Sequence, residues 1–171
     1  MDIMTPIQNI LKEVTGDVNK EPADGVLGTE ITATELAKKA FLLSSGIAMD
    51  KLGKNIKNEQ IILEKMADIM IAIYGLDSAV ARTLQLLEKN GNDESKVELP
   101  IAMTKLYVYE TFQKVIEDAR QIMVDSASND EEIKNYLGMI NKLWFYWPLN
   151  ISKTKEIVAA KTIEREKYTL V

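Results

Sequence analysis

The residues best suited to chemistry in this chain are carboxylates and arginines, since it holds neither histidine nor cysteine. Asp68 and Asp77 interrupt the most apolar segment, NEQIILEKMADIMIAIYGLDSAVARTLQLLEKN, which runs from Asn58 to Asn90. A buried acid whose pKa is raised by its surroundings can act as a base. The simpler reading is a satisfied polar edge, with Asp68 paired to Lys65 on its own helix or to Arg120 across the fold. No companion base or nucleophile accompanies either acid, so the simpler reading is preferred. Asp93, Glu94 and Glu98 approach a metal-binding cluster, but they fall in a turn and are expected to be solvated. Only three arginines occur, Arg82, Arg120 and Arg165, against eighteen lysines. Arg82 and Arg120 lie within apolar periodicity, in SAVAR and EDAR. A forked guanidinium there suits a buried or interface ion pair, with a phosphate or CoA contact as the alternative.

Without histidine, the commonest general base and metal ligand at neutral pH is missing. Without cysteine, disulfides, thiolate zinc sites and thiol nucleophiles are excluded. There is no G-x-G-x-x-G or Walker-type run to cradle a phosphate. No catalytic, cofactor-binding or metal-binding residue is therefore assigned. The net charge of −5 argues against a nucleic-acid partner. The N-terminus, MDIMTPIQNIL, lacks the pattern of a signal peptide. The longest uninterrupted apolar run, Ile69 to Leu76, is well short of a bilayer span. A cytoplasmic address without a membrane span is the expectation.

These residues must be positioned by helices. Thr5-Pro6 opens a short helix carrying Ile7, Ile10, Leu11 and Val14 on one face, and Gly16 can close it. Residues 16 to 31 hold three glycines, one proline and four acids, and read as a linker. This divides the chain into a short N-terminal helix with linker, 1–31, and a helical bundle domain, 32–171. Thr32 to Glu35, TATE, has capping-box spacing and starts a second helix that ends near Gly53. In the third helix Ile62, Met66, Ile69, Ile73, Leu76, Val80 and Leu87 form one stripe, with Thr83 its polar member. A second stripe, Leu63, Ala67, Met70, Tyr74, Ala81 and Leu84, lies beside it. Ala72, Gly75 and Ala79 are small enough for another helix to approach closely.

A turn from Gly91 to Pro100 leads to a fourth helix, from about Leu99 to Ser126. Its stripe is Val108, Phe112, Val115, Ala119 and Ile122. Ser128 to Glu131, SNDE, is another capping-box spacing. It opens a fifth helix with Ile133, Leu137, Ile140, Trp144 and Trp147 in line, stopped by Pro148. A last helix runs from Ser152 to about Lys167. The fold class is all-α: an up-and-down helical bundle of four to five long helices.

LWFYWP, Leu143 to Pro148, contains both tryptophans. They could close the bundle, dock on another domain, or sit at a membrane surface among the lysines that flank them. The first two readings are preferred, because Glu156, Glu164 and Glu166 offset much of the basic charge. Arg82, Arg120, Trp144 and Trp147 are the candidate interaction residues.

The middle segment resembles the C-terminal extension of long- and very-long-chain acyl-CoA dehydrogenases. The resemblance rests on Asn58-Glu59-Gln60, Met66-Ala67-Asp68, Tyr74 and Ser78-Ala79-Val80-Ala81-Arg82. The tail, NISKTKEIVAAKTIEREKY, is similar to that of the bacterial branch, and the similarity covers roughly Thr32 to Tyr168. It implies that FAD and the catalytic glutamate belong to a preceding core, made of two helical domains around a β-domain. This chain would be the accessory bundle that packs on that core, with Met1 not the natural start. In some members the extension takes the place of a second dimer, and in some it contributes to membrane association. Flavin-dependent α,β-dehydrogenation of an acyl-CoA in fatty-acid β-oxidation is the implied parent chemistry. The isolated chain is expected not to catalyse it, and to form a homodimer through its uncovered docking surface. The alternative is a free-standing helical interaction or acyl-ligand-binding module.

Overall fold

The computed structural model describes residues 4–16, 18, 20–144 and 148–165. Among them are six α-helices and no strand: α1 (Met4–Thr15), α2 (Gly28–Leu52), α3 (Gln60–Lys89), α4 (Glu98–Asp125), α5 (Asp130–Leu143) and α6 (Ile151–Arg165). Short connections join α2, α3, α4 and α5 into an up-and-down bundle, as the periodicity predicts. α1 packs on α2 and α5, and α6 packs along α4.

α2 begins at Gly28, four residues before the TATE spacing. Thr32 does not cap it, because its hydroxyl is already used. It accepts from the Ala23 amide at 3.1 Å and donates to the Glu21 carbonyl at 3.2 Å, holding the preceding segment against the first turn. Gly28 is required by the same contact, since a Cβ there would lie 1.7 Å from the Ala23 carbonyl oxygen.

α2 is also the central helix. It packs against α1, α3, α4 and α5, and it buries Ala33, Ala37, Ala40, Ser44 and Ala48 along with Leu36 and Leu43. Small side chains let several neighbours approach one axis, where larger ones would hold them apart. The more apolar α3 lies at the side and, among the described residues, packs mainly on α4 and α2. Its buried residues are Ile62, Met66, Ile69, Leu76, Val80 and Thr83, the first stripe of the sequence. Ile73 and Leu87 are only partly covered, and the second stripe is largely exposed. By length and composition α3 is long and apolar enough to cross a membrane. Its packing is that of a bundle helix, with Lys65 bridging 3.0 Å to Asp118 of α4.

The helix ends follow local chemistry. After α3, Gly91 and Asn92 both take left-handed φ, and their amides close on the Glu88 and Leu87 carbonyls. α5 starts at Asp130 because Asn129, rather than Ser128, is its cap. The Asn129 carboxamide accepts from the Glu132 amide at 3.0 Å, and the Glu132 carboxylate accepts from the Ser128 amide at 2.9 Å. The capping box therefore sits one residue later than SNDE suggests. α5 ends at Leu143, before Pro148, and Trp144 is extended. The line of apolar residues expected through Trp144 stops at Leu143. Tyr136, Ile140 and Leu143 are the buried side chains. Asn150 caps α6 through the Lys153 amide at 3.0 Å. The core centres on Phe112, Ile116, Ile122 and Met123 of α4 against Leu36 and Leu43 of α2, Ile69 and Leu76 of α3, and Ile140 of α5.

Candidate interaction surfaces

The two aspartates of α3 are ion-pair members on the surface. Asp77 lies 2.9 Å from Lys38 of α2, and Asp68 lies 3.6 Å from Lys114 of α4. Neither partner is the one expected for Asp68: Lys65 reaches Asp118, and Arg120 pairs with Glu117. Burial pushes the Lys38 ammonium down, but its hydrogen bonds to Glu35 and Asp77 outweigh that and hold its pKa above the ordinary value. The hydrogen bond to Asp118 similarly raises Lys65. Both shifts keep the lysines charged, the reverse of what a lysine general base needs.

The acidic turn is likewise internally matched. The Ser95 hydroxyl and amide hydrogen-bond to the Asp93 carboxylate and hold its pKa below the usual range. Glu98 lies 3.5 Å from Lys161 of α6. Among the described residues no group of three or more acids is placed to hold a metal.

Arg120 also lies 3.4 Å from the Asn141 side-chain oxygen, joining α4 to α5. Arg82 is exposed on α3 and makes no ion pair among the described residues. Trp144 is 40% exposed. Its indole donates to Gln113 at 3.0 Å, and its carbonyl accepts from Lys20 at 2.7 Å, which ties the end of α5 to α4 and to the segment before α2. Trp147 lies outside the described residues. The structure thus leaves Arg82, Arg120 and Trp144 at separate places in the bundle.

A residue the sequence did not mark joins the α3–α4 surface. Tyr107 of α4 lies against Gly75, where a Cβ would come within 2.1 Å of its hydroxyl oxygen. Gly75 carries the signal, being a small residue within an apolar period, but nothing in the sequence names its partner. Beside Tyr107 is a cavity of about 400 Å³ lined by Ala79, Leu86, Pro100 and Met103, with Arg82 also on its wall. At this cavity the Thr83 and Thr104 hydroxyls bond each other at 2.7 Å, so two buried polar groups satisfy one another.

A second cavity, of about 450 Å³, has Glu94, Glu98 and Lys105 among its lining residues. Neither cavity fits a flavin dinucleotide. The first offers one guanidinium in an apolar wall, and the second sets two carboxylates against a single lysine where a pyrophosphate would need a surplus of cations or free amides.

A helical bundle with this arrangement matches a known family. The family described as "Acyl-CoA dehydrogenase, C-terminal domain" matches residues 36–142, and the chain belongs to that family. A probable acyl-CoA dehydrogenase of Bacillus subtilis (strain 168) is 32% identical over 163 residues, covering 95% of this chain and 27% of the relative. A crystal structure of an acyl-CoA dehydrogenase complexed with FAD, from Bacillus anthracis, superposes with a TM-score of 0.90 at 28% identity. It covers 99% of this chain and 28% of that one. The chain therefore spans about a quarter of the length of the relatives it matches.

Proposed function

We propose that this chain is the non-catalytic helical domain of a flavin-dependent acyl-CoA dehydrogenase of fatty-acid β-oxidation, and that it serves assembly by packing against a catalytic core. One observation carries the reading: almost the whole chain corresponds to about a quarter of a dehydrogenase, in sequence and in fold. The charged groups that could do chemistry are mostly committed to ion pairs between helices, as expected of a domain whose task is packing. In this reading FAD and the reacting groups are supplied by the core, and no catalytic step passes through these residues. The address is cytoplasmic. Peripheral membrane contact at Trp144 would require that indole to leave Gln113, to which it donates at 3.0 Å.

The test is direct. The purified 171-residue chain, expressed with excess riboflavin, is expected to be colourless and to reduce no electron acceptor when given acyl-CoA. Stoichiometric flavin, or acyl-CoA oxidation by the chain alone, would overturn the reading.

The second reading is a free-standing acyl-ligand-binding module, and the cavity beside Tyr107 favours it: apolar walls with one guanidinium suit a chain bearing an anionic head. Displacement of a fluorescent fatty acid, abolished by Met103→Trp, would support it.

A further inference from the structure

α3 carries one face that no part of the described bundle covers. Ala67, Met70, Ile71, Tyr74, Ser78 and Ala81 are all exposed along it. Ile71 is 70% exposed and Tyr74 is 76% exposed, values unusual for large apolar side chains at the middle of a helix. The two acids at its margins are matched within the chain, Asp68 by Lys114 and Asp77 by Lys38. Two charges remain, Glu64 near the start of the strip and Arg82 near its end. Both are exposed, and neither makes an ion pair or hydrogen bond among the described residues. Glu64 acts on Lys65 only at a distance.

The spacing of these two charges is informative. They are 18 residues apart, which at about 3.6 residues per turn is five whole turns. They therefore lie on one line along the helix surface, about 27 Å apart at ~1.5 Å per residue. The strip reads acid, apolar, base, and it matches itself when turned end for end. We propose that this face of α3 binds a second copy of the chain. The two α3 helices lie antiparallel across a two-fold axis near Ile71 and Tyr74, and each Glu64 meets the partner's Arg82. The antiparallel arrangement also sets opposite helix dipoles side by side. A bilayer would have to strip water from both charges at once, whereas a second copy neutralises them.

The contact is modest. A strip about 27 Å long and ~10 Å wide buries on the order of 500 Å² over both chains, well below the usual size of a stable interface. The dimer is accordingly weak and concentration-dependent. The inference concerns the 171-residue chain alone and does not rest on the dehydrogenase reading: a strictly monomeric chain would end it and leave that reading standing.

The experiment is sedimentation equilibrium of the whole chain across a wide concentration range, with circular dichroism to confirm that each variant is folded. The wild type is expected to show a reversible monomer–dimer equilibrium. Glu64→Arg and Arg82→Glu each turn two attractions into two repulsions and are expected to raise the dimer Kd about 10-fold or more. The double variant Glu64→Arg/Arg82→Glu restores both pairs and is expected to return to within about threefold of the wild type. Tyr74→Glu, in the apolar middle, is expected to abolish the dimer. A chain that stays monomeric throughout, a dimer indifferent to either single charge reversal, or a double variant no tighter than the single ones would each overturn the proposal.

Discussion

Gly75 of α3 and Tyr107 of α4 share one space: a methyl group on Gly75 would come 2.1 Å from the Tyr107 hydroxyl oxygen. The glycine costs its helix up to about 1 kcal/mol relative to alanine. The tyrosine ring takes up the room that this creates. Gly75→Ala should therefore stabilise the fold by about 1 kcal/mol in a Tyr107→Ala background, where only helix propensity is at stake. In the wild-type background that gain should be lost, because the ring must move out of its place. A double-mutant cycle by urea unfolding reads the difference, and equal effects in both backgrounds would refute the coupling.

The Thr83–Thr104 pair makes a sharper contrast. Both side chains are buried, and each hydroxyl is the other's partner at 2.7 Å. Thr83→Val should cost about 1–3 kcal/mol, because it leaves Thr104 buried without that bond. Adding Thr104→Val should recover most of the loss, since two isosteric apolar groups then face each other. Urea midpoints of the two single variants and the double variant are the check.

The burial pattern predicts a further division. Phe112 is fully buried at the centre of α4, so Phe112→Ala should cost about 3–5 kcal/mol, a large share of an ordinary domain's stability. Ile71→Ala, on the uncovered face of α3, should change stability by about 0.5 kcal/mol or less at dilution where the chain is monomeric. Thermal melts at low protein concentration separate the two. A large loss for Ile71→Ala would mean that the outer face of α3 is covered within the monomer.

pH dependence follows from the Lys51–Glu132 pair, which joins α2 to α5. The hydrogen bond to Lys51 holds the Glu132 pKa below its ordinary 4.5. The folded chain thus gives up this proton more readily than the unfolded chain. The contribution to stability is complete above about pH 4.5 and is lost as pH falls through the folded value. On the alkaline side the hydrogen bond to Glu132 raises Lys51 above 10.5, so its contribution is complete below that value and is lost as pH rises through the folded pKa. Glu132→Gln should lower the melting temperature at pH 7, and the difference from wild type should close under acid. A gap that persists at pH 2 would mean that the cap to the Ser128 amide, not the charge, carries the effect.

The helices were legible because apolar periodicity reports which face of a helix is buried: Ile62, Met66, Ile69, Leu76 and Val80 are read from spacing alone and are buried. Hydrophobicity did not report position in the bundle. α3 has two apolar stripes, yet it lies at the side, while α2 reaches the centre through alanines and serines whose value is their small size. Capping motifs were legible only to within a few residues. A threonine such as Thr32 can cap a helix or hold a neighbouring segment, and the choice depends on where residues 21–23 run. Ion-pair partners such as Lys114 for Asp68 were not legible, since they depend on the register of one helix against another. The family resemblance in Asn58 to Arg82 was legible because it rests on the order of residue types along the chain, which needs no geometry. The uncovered strip from Glu64 to Arg82 was not, because only the fold shows which of the two stripes is left outside.

The central claim is that this domain works as part of a dehydrogenase, and the size of the native gene product tests it most directly. An antibody raised against the domain should detect, in an extract of the source cells, a band several times larger than 19.3 kDa, and that band should carry flavin after immunoprecipitation. A band at 19.3 kDa with no dehydrogenase core in the precipitate would contradict the account and leave a free-standing helical module in its place.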